Sequence, residues 1–370
     1  MNFNKGTLEE LECKGNAISS KNAVVGFDGF VDKIMTVVDK RLGPGDNFTA
    51  INRICELGTR ISGAAGKSTN IEVYPKTEKI GGNGPIMANA LLTTGMHVKY
   101  LGALGKPSIH PVFKEFAKRT DAVSVSEPGV TLALEFSDGK IMINDTSGIE
   151  NITYFNILDN SGEGAFYDAL SRANLISLLN WTMIPNMTAI FVALLENVLP
   201  NLPPHNGRLF FFDLSDPQKR PDGDLKVVLS TITRFRSHGN VCLGLNYKEA
   251  QQVFKVLGHK TLKSDAMGLK KMATLIRQDL EIQYVVIHPL ESAACATKDD
   301  SWWIQGTYTN EPKITTGAGD HFNAGFTIGL ILGLSPPACL TLAVAFSSYY
   351  VSTAKSPSLF DIDNFIRNWN

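Results

Sequence analysis

The sequence has few cysteines and no excess of charge of either sign, and both features exclude classes of protein. Its five cysteines are widely spaced along 370 residues and form no Cys-x-x-Cys pair, which argues against a zinc knuckle or a disulfide framework. Lys and Arg number 35 against 36 Asp and Glu, giving a net charge of -1. Without a basic field the chain is not expected to bind nucleic acid or an anionic membrane, and a small molecule is the better-suited partner.

Long apolar runs are also lacking. The most apolar region, 322–351, is interrupted by Ser335-Pro336-Pro337, and each half is shorter than the roughly 20 residues of a membrane-spanning helix. This pattern predicts two buried helices. Residues 1–20 carry charges without an apolar core, so they do not resemble a secretory signal. We therefore expect a cytoplasmic protein with reduced thiols.

Short apolar runs alternate with amphipathic, helix-like stretches over most of the sequence. The runs are 23–26, 98–101, 209–212, 241–244 and 284–287. Continuous apolar strands between helices are typical of a mostly parallel sheet that is covered on both faces. A hydrophobic content of 44% is sufficient for such a core. The sequence therefore predicts an α/β fold in which helices cover both faces of one central sheet.

Two segments, about 68–80 and 130–145, break this alternation. In the second, apolar and polar residues alternate on both sides of a Ser137-Asp138-Gly139 turn, which predicts an antiparallel hairpin with one solvated face. Such strands need a surface to pack against. We expect them to form a small β-strand lid over a site on the main sheet, within a single domain of residues 1–370.

The segment 315–326, Thr-Thr-Gly-Ala-Gly-Asp-His-Phe-Asn-Ala-Gly-Phe, carries the strongest functional signal. Gly317, Ala318 and Gly319 allow a tight turn whose N–H groups approach an anion, and the apolar run after Asp320 predicts the helix that they begin. A helix N-terminus favours a carboxylate, so Asp320 is expected to be ionised unless the pocket strongly desolvates it. A carboxylate beside bound phosphates is suited to accepting a proton from an attacking hydroxyl.

Gly81-Gly82-Asn83-Gly84-Pro85 precedes a predicted helix that ends near Gly95. Its glycines would let the backbone approach a polyhydroxy substrate, with the Asn83 amide available to donate and to accept hydrogen bonds. Glycine pairs also occur in ordinary tight turns, so this reading depends on the proximity of Asp320.

Asp28 and Asp32 follow the first predicted strand. A ligand crevice is expected at the carboxyl ends of strands in an open α/β sheet, and a carboxylate there accepts hydrogen bonds from sugar hydroxyls. Either residue could instead cap a helix or a turn, an alternative that is stronger for Asp28.

Two further polar sites follow later strands. Asn246 and Glu249 have the spacing of a helix capping box, but a single Glu is also adequate for Mg²⁺, which keeps several waters. Arg220 could pair with a phosphate or a carboxylate, or form a salt bridge within its loop.

The run Thr-Thr-Gly-Ala-Gly-Asp-x-Phe-x-x-Gly-Phe resembles the C-terminal signature of the ribokinase-like (PfkB-type) carbohydrate kinases. Other stretches follow in that family's order and cover most of the chain. The resemblance implies a three-layer α/β/α fold with a β-lid, which in many members is also a dimer contact, so a homodimer through the lid is an expectation. It also implies transfer of the γ-phosphate of ATP to a hydroxyl of a sugar or sugar-like molecule.

The resemblance also implies roles for single residues. Gly81-Gly82 resembles the family's N-terminal signature, and Asp32 matches its substrate-hydroxyl aspartate. Asn246 and Glu249 resemble the Asn-x-x-Glu motif, which orders Mg²⁺ through waters beside the nucleotide phosphates.

Other residues are assigned in the same way. Arg220 lies in a stretch resembling the Asp-Pro-Asn-x-Arg-Pro segment of sugar-acid and fructose kinases. Thr316, Asn246 and His288 are expected near the nucleotide.

Three positions depart from the family pattern. Ile86 replaces the usual asparagine of the N-terminal signature. Ile314 replaces an acidic residue that helps to hold a monovalent cation, so potassium dependence is not predicted. His288 stands where many members have a glycine-containing turn near the nucleotide.

Two other functions remain open at this stage. A non-catalytic sensor of a sugar or nucleotide would account for the three departures, but the intact 315–320 segment favours an enzyme. Gly63-Ala64-Ala65-Gly66-Lys67-Ser68-Thr69 resembles a Walker A loop that would use Lys67, although Ile61 replaces its first glycine and a helix is predicted before it. Ribose, fructose, a sugar acid and a nucleoside all remain candidate acceptors.

Overall fold

A computed structural model of the chain describes residues 3–205, 207–307, 309 and 311–369. Its strands are β1 (Asn22–Phe27), β2 (Phe30–Arg41), β3 (Phe48–Ala50), β4 (Val73–Gly81), β5 (His97–Ala103), β6 (Asp121–Ser126), β7 (Gly129–Phe136), β8 (Gly139–Asp145), β9 (Leu175–Leu179), β10 (Leu209–Asp213), β11 (Asn240–Asn246), β12 (Tyr284–His288), β13 (Ser292–Ala296) and β14 (Ser301–Gln305). Its α-helices are α1 (Asn4–Lys14), α2 (Ile54–Ser62), α3 (Asn83–Leu92), α4 (Lys114–Arg119), α5 (Tyr154–Ser161), α6 (Glu163–Arg172), α7 (Met187–Ala193), α8 (Asp222–Arg234), α9 (Tyr247–Val256), α10 (Ala266–Leu280), α11 (Ala318–Leu332), α12 (Pro336–Thr353) and α13 (Leu359–Arg367).

The main sheet has nine strands among the described residues, in the order β14-β13-β12-β11-β10-β9-β1-β5-β6. Pairing is parallel from β6 through β12, and β13 and β14 extend the sheet as an antiparallel edge. The five apolar runs predicted from the sequence lie in β1, β5, β10, β11 and β12. The predicted α/β/α fold with a mostly parallel sheet is confirmed.

Side chains of the central strands alternate between two separate hydrophobic clusters. In β10, Phe210 and Phe212 pack into the cluster beneath α6 to α10, whereas Leu209 and Phe211 pack into the cluster beneath α3, α11 and α12. Successive side chains of a strand point to opposite faces, so a continuously apolar strand is stable when helices cover both. Packing on both faces holds the central strands in position, so the carboxyl ends of the parallel strands lie together at one edge of the sheet.

A second sheet forms the lid. Strand β2 pairs with β7 on one side, with β4 along residues 30–37 and with β3 along 38–41, and β8 continues the sheet beyond β7. The segments predicted for the lid, about 68–80 and 130–145, contain β4, β7 and β8. Strands β2 and β3 were not predicted from the sequence. Asp32, expected at the end of the first strand, therefore lies on lid strand β2 instead of the main sheet.

Helix α2, which follows β3, covers the outer face of the lid. Leu57 of α2 packs with Met35 and Val37 of β2 and with Leu134 of β7 in a small cluster separate from the two main cores. Thr131, on the opposite face of β7, lines a cavity between the lid and the main sheet. The lid therefore has an apolar outer layer of its own and a polar inner face.

The five cysteines differ in exposure. Cys13 on α1 and Cys55 on α2 are exposed, whereas Cys242, Cys295 and Cys339 are buried. In the part of the chain that the structure describes, no helix is both long and apolar enough to cross a membrane.

Candidate active site

Two helices begin at the same place beneath the lid. Helix α3 starts after Gly82, which has φ of 95°, and α11 starts after Gly317, which has φ of 93°. A side chain at Gly317 would meet neighbours as well as strain the backbone, since its Cβ would lie 3.1 Å from Ile86 Cγ2. The Asn83 side chain joins the two helices by donating a hydrogen bond of 2.9 Å from Nδ2 to Asp320 Oδ1.

A cavity of about 390 Å³ lies between these helix N-termini, the lid and the ends of the central strands. Most of the residues expected to bind acceptor, phosphate or metal line it, although they come from distant parts of the sequence. These are Asp32, Gly82, Asn83, Asn246, Glu249, His288, Thr316, Gly317, Gly319 and Asp320.

Asp320 is buried in the first turn of α11, with 7% of its surface exposed. Desolvation raises the pKa of its carboxyl well above the usual value, and the nearby Asp213 carboxylate acts in the same direction. The hydrogen bond from Asn83 lowers the pKa by stabilising the charged form. The sequence predicted an ionised Asp320 unless the pocket strongly desolvates it, and this pocket does desolvate it.

A second group of carboxylates lines the floor of the cavity. Glu249 Oε2 accepts from the Asn246 N–H at 2.9 Å and Oε1 from the Asp216 N–H at 2.8 Å, so it both caps α9 and holds the loop after β10. Burial, followed by the charge of Asp213, raises the pKa of Glu249 to about 8. The Asn246–Glu249 pair therefore forms the capping box, and its side chains also face the cavity.

The oxygen donors of Asp213, Asp216 and Glu249 suit a hard cation such as Mg²⁺. Among the described residues, no three His, Cys, Asp or Glu side chains converge closely enough to hold a metal ion directly. Mg²⁺ keeps most of its waters and contacts few protein atoms, so these oxygen donors would suit it through bound water.

A second cavity, of about 540 Å³, adjoins the first. Asn246, His288 and Gly319 line both cavities, and Ala318 and Phe322 line the second. His288 stacks on Phe322 with 4.6 Å between ring centroids, and burial lowers its pKa to about 4. A neutral imidazole thus lies where the two cavities adjoin.

Three of the residues expected to bind substrate are not among the cavity-lining residues. Asp28 is fully buried and accepts from the N–H groups of Asn83 and Gly84 and from Asn180 Nδ2, at 2.7 to 2.9 Å. These bonds give it the capping role that was the alternative reading. Gly81 lies against the Asp32 carboxylate, where a side chain would have no space.

Arg220 is the third of these residues. Its guanidinium donates to the carbonyl oxygens of Trp181, Thr182 and Ile184 and stacks 4.5 Å from the Trp181 ring. These contacts hold the loop after β9 and correspond to neither the substrate anion nor the salt bridge considered from the sequence.

The lid contributes polar side chains from its inner face. Asp32, Thr131 and Asn144 lie in one register across β2, β7 and β8, and all line the first cavity. Lys140, four residues before Asn144 on the same face of β8, donates to Thr316 Oγ1 at 3.3 Å. The lid therefore reaches the loop that begins α11.

Sequence reasoning missed several cavity residues, including Asn180, Asp213 and Asn144. Asp213 ends β10, and the rule that ligands bind at the carboxyl ends of strands could have identified it. Asn180 follows β9, which was not predicted, so the same rule could not be applied to it. Predicting Asn144 would have required knowing which face of the lid hairpin points towards the cavity.

The Walker-like segment lies elsewhere. Lys67 is exposed in the loop after α2, on the outer layer of the lid, and it follows a helix where a P-loop requires a strand. This position does not favour nucleotide binding at Lys67.

Comparison with known proteins agrees with the fold. A model of the prokaryotic ketohexokinase family matches residues 10–369. A ketohexokinase of Haloferax volcanii is 23% identical over 352 residues, which cover 94% of this chain and 91% of the relative. Ribokinase from Thermotoga maritima has a TM-score of 0.63 at 17% identity, covering 94% of this chain and 99% of that structure.

Ribokinase from Arabidopsis thaliana, complexed with ribose and ATP, also has a TM-score of 0.63, at 15% identity with 95% and 99% coverage. The family match extends over nearly the whole chain, and the observed fold is the one that the family predicts. The chain therefore belongs to the prokaryotic ketohexokinase family, among the ribokinase-like (PfkB-type) carbohydrate kinases, and is an ATP-dependent sugar kinase.

Proposed function

We propose that this kinase phosphorylates a ketohexose, with Asp320 as the general base. The observation that carries the proposal is the position of Asp320, which is buried where the N-termini of α3 and α11 meet and where the two cavities adjoin. A hydroxyl in the first cavity and a phosphate from the second would meet beside this carboxylate. The ketohexose assignment follows the name of the matching family and of its Haloferax volcanii relative.

The acceptor would lie between the lid and α3. Asp32 and Asn83, with the backbone of Gly82, offer acceptors and donors for sugar hydroxyls, and Asn144 and Asn180 add two amides. Fixing the sugar on several groups leaves one hydroxyl facing Asp320, which supplies the orientation that the transfer requires.

The nucleotide would occupy the second cavity with its phosphates directed to the shared boundary. Asn246 and His288 lie at this boundary, and Thr316 lines the first cavity. The N–H groups of Gly317, Ala318 and Gly319 at the start of α11 would form the anion hole. Mg²⁺ would be held through waters near Asn246 and Glu249, where it would offset negative charge on the phosphates.

In the transfer step, the acceptor hydroxyl gives its proton to Asp320 as its oxygen bonds to the γ-phosphorus. The bond from that phosphorus to the bridging oxygen breaks, and ADP leaves with the electron pair. The anion hole stabilises the charge on the transferred group. Lys140 would bring a positive charge from the lid to the same place, and the closed lid would exclude water as a competing acceptor.

The test is ADP release from Mg-ATP across ketohexoses, aldoses, sugar acids and nucleosides. We expect turnover with a ketohexose, and a loss of about 10²- to 10⁴-fold in kcat for Asp320→Asn. Asp121→Asn is the matched control, because Asp121 is an exposed carboxylate at the start of β6. A smaller loss in Asp320→Asn would contradict the base role. Tight sugar binding without turnover would favour the sensor instead.

A further inference from the structure

Two side chains hold the carbonyl groups of the loop that begins α11. The Tyr350 hydroxyl, on α12, donates to the Thr316 carbonyl oxygen at 3.3 Å. His321 Nδ1 lies 2.7 Å from the carbonyl oxygen of Gly317, one turn before it in the same helix. The two rings stack with centroids 3.6 Å apart and an interplanar angle of 15°, so they form one unit beneath the loop.

The hydrogen-bond partners determine where the His321 proton lies. A carbonyl oxygen can only accept, so Nδ1 carries the hydrogen, and Nε2 is left to accept from Ser356 Oγ at 2.8 Å. Burial lowers the pKa of His321 to about 4, so the ring is neutral at physiological pH as this arrangement requires. His321 is therefore fixed in one tautomer and one orientation.

The chain of donors continues behind His321. The Ser356 oxygen accepts from Asn89 Nδ2 at 2.9 Å, which leaves its own hydrogen free to point to His321. Asn89 Oδ1 in turn accepts from Arg119 Nη1 at 3.1 Å. Every donor in this series points from the Arg119 cation towards Gly317. Hydrogen bonds aligned in this way polarise one another.

The consequence appears on the opposite side of the peptide group. The Gly317 carbonyl is conjugated with the Ala318 N–H, and the Thr316 carbonyl with the Gly317 N–H. A donor on a carbonyl oxygen withdraws electron density from the peptide and strengthens its N–H as a donor. Gly317 and Ala318 supply two of the N–H groups of the anion hole in the proposed function, and the Ala318 N–H also makes a long hydrogen bond of 3.3 Å to the Thr315 carbonyl oxygen.

We propose that His321 and Tyr350 are positioning residues, which fix the loop 316–318 and polarise its peptide groups towards the transferred phosphoryl. This inference depends on the proposed phosphoryl transfer at Asp320. Side chains of this chain thus hold the loop through its carbonyl oxygens, and the hydrogen-bond network behind His321 extends to Ser356 and Asn89.

The test uses small changes that remove one hydroxyl group each. Tyr350→Phe keeps the stacked ring and removes the donor to Thr316, and Ser356→Ala keeps His321 and removes its fixed partner. We expect kcat to fall about 3- to 10-fold in each, the rate equivalent of one neutral hydrogen bond, with little change in KM for either substrate. Ser356→Thr, which retains the hydroxyl, should restore kcat.

Ser352→Ala is the matched control, because it removes a hydroxyl on α12 that donates within the helix, to the Ser348 carbonyl oxygen. It should leave kcat unchanged. A second measurement is the affinity for ADP with aluminium fluoride, which imitates the transferred phosphoryl. This affinity should fall by the same factor as kcat, whereas the affinity for ADP alone should not.

Unchanged kcat in both Tyr350→Phe and Ser356→Ala would overturn the inference. A loss of kcat accompanied by a rise in KM of similar fold and by a lower melting temperature would also overturn it, because that pattern indicates a structural role. A wild-type protein without turnover on any acceptor would overturn the proposed function as well, so the two failures can be distinguished.

Discussion

At the scale of single residues, the Asn83–Asp320 hydrogen bond sets the behaviour of the proposed base. Asp320 must be ionised to accept a proton, yet burial and Asp213 raise its pKa. A raised pKa brings a carboxylate closer to the operating pH, where a general base is most effective. The Asn83 amide limits this rise by donating to the charged form.

Asn83→Ala should therefore move the acid limb of the kcat profile to higher pH. Without the amide the pKa of Asp320 rises further, and the ionised base is lost at a higher pH as the solution is acidified. The measurement is kcat at saturating substrates across the pH range. Asn144→Ala is the control, since Asn144 also lines the cavity but belongs to the lid. If the acid limb of the Asn83→Ala profile does not move, Asn83 does not affect the pKa of Asp320.

Residues in short local motifs could be predicted from the sequence, and residues that face the cavity from elsewhere could not. Asp320, Asn83 and Glu249 each lie next to a glycine-rich turn or begin a helix, which are local signals. Asn180 faces the cavity because of how β9 joins its neighbours, and Arg220 is held by the carbonyls of a distant loop. Those contacts join segments that are distant in the sequence, so no local sequence pattern predicts them.

At the scale of elements, the lid has its own hydrophobic support. Leu57 of α2 is 2% exposed and packs with β2 and β7, apart from the main cores. This packing accounts for the segment between β2 and β4, whose role the sequence did not indicate. The polar inner face of the lid can then be devoted to the cavity, because the outer face supplies the apolar burial.

Leu57→Ala should loosen the lid without unfolding the main sheet. Loss of a buried leucine costs about 2–5 kcal/mol, and here the lost contacts are confined to the lid. Hydrogen exchange measured by strand should accelerate in β2 and β7 and stay unchanged in β10. Ile61→Ala on the same helix is the control, because Ile61 is 53% exposed. Equal acceleration in β10 would show that the lid is not a separate unit of stability.

The strands differ in how clearly the sequence predicts them. β10 and β11 are continuously apolar because both faces are covered, and that pattern is distinctive. β2 mixes charged and apolar residues, since one face meets the cavity and the other meets α2. β13 is built from small residues with weak β-propensity, so its sequence does not indicate a strand.

At the scale of the whole molecule, the cavity carboxylates link stability to pH. Burial raises the pKa of Glu249 to about 8, so the folded protein retains a proton that the unfolded chain releases above its ordinary pKa of about 4.3. Where the folded state binds more protons, the free energy of unfolding falls as pH rises. Asp213 and Asp320, whose pKa values burial also raises, act in the same direction.

Glu249→Gln should make the melting temperature of the ligand-free protein fall less steeply between about pH 6.5 and 8. His288 and His321, with pKa values lowered to about 4, act in the opposite direction, but their effect ends near the unfolded pKa of about 6.5. The slope is the readout, because the substitution also alters the capping box. Glu281→Gln, an exposed carboxylate, is the control. An identical slope in Glu249→Gln and wild type would contradict the raised pKa.

The distribution of thiols makes this kinase suitable for optical work without added cysteines. Cys55 lies on the α2 layer of the lid and Cys13 on α1 of the main body, and both are exposed, whereas the other three cysteines are buried. A donor and an acceptor dye attached to the two exposed positions would convert lid displacement into energy transfer. Sugar binding could then be followed in single molecules on the unmutated chain.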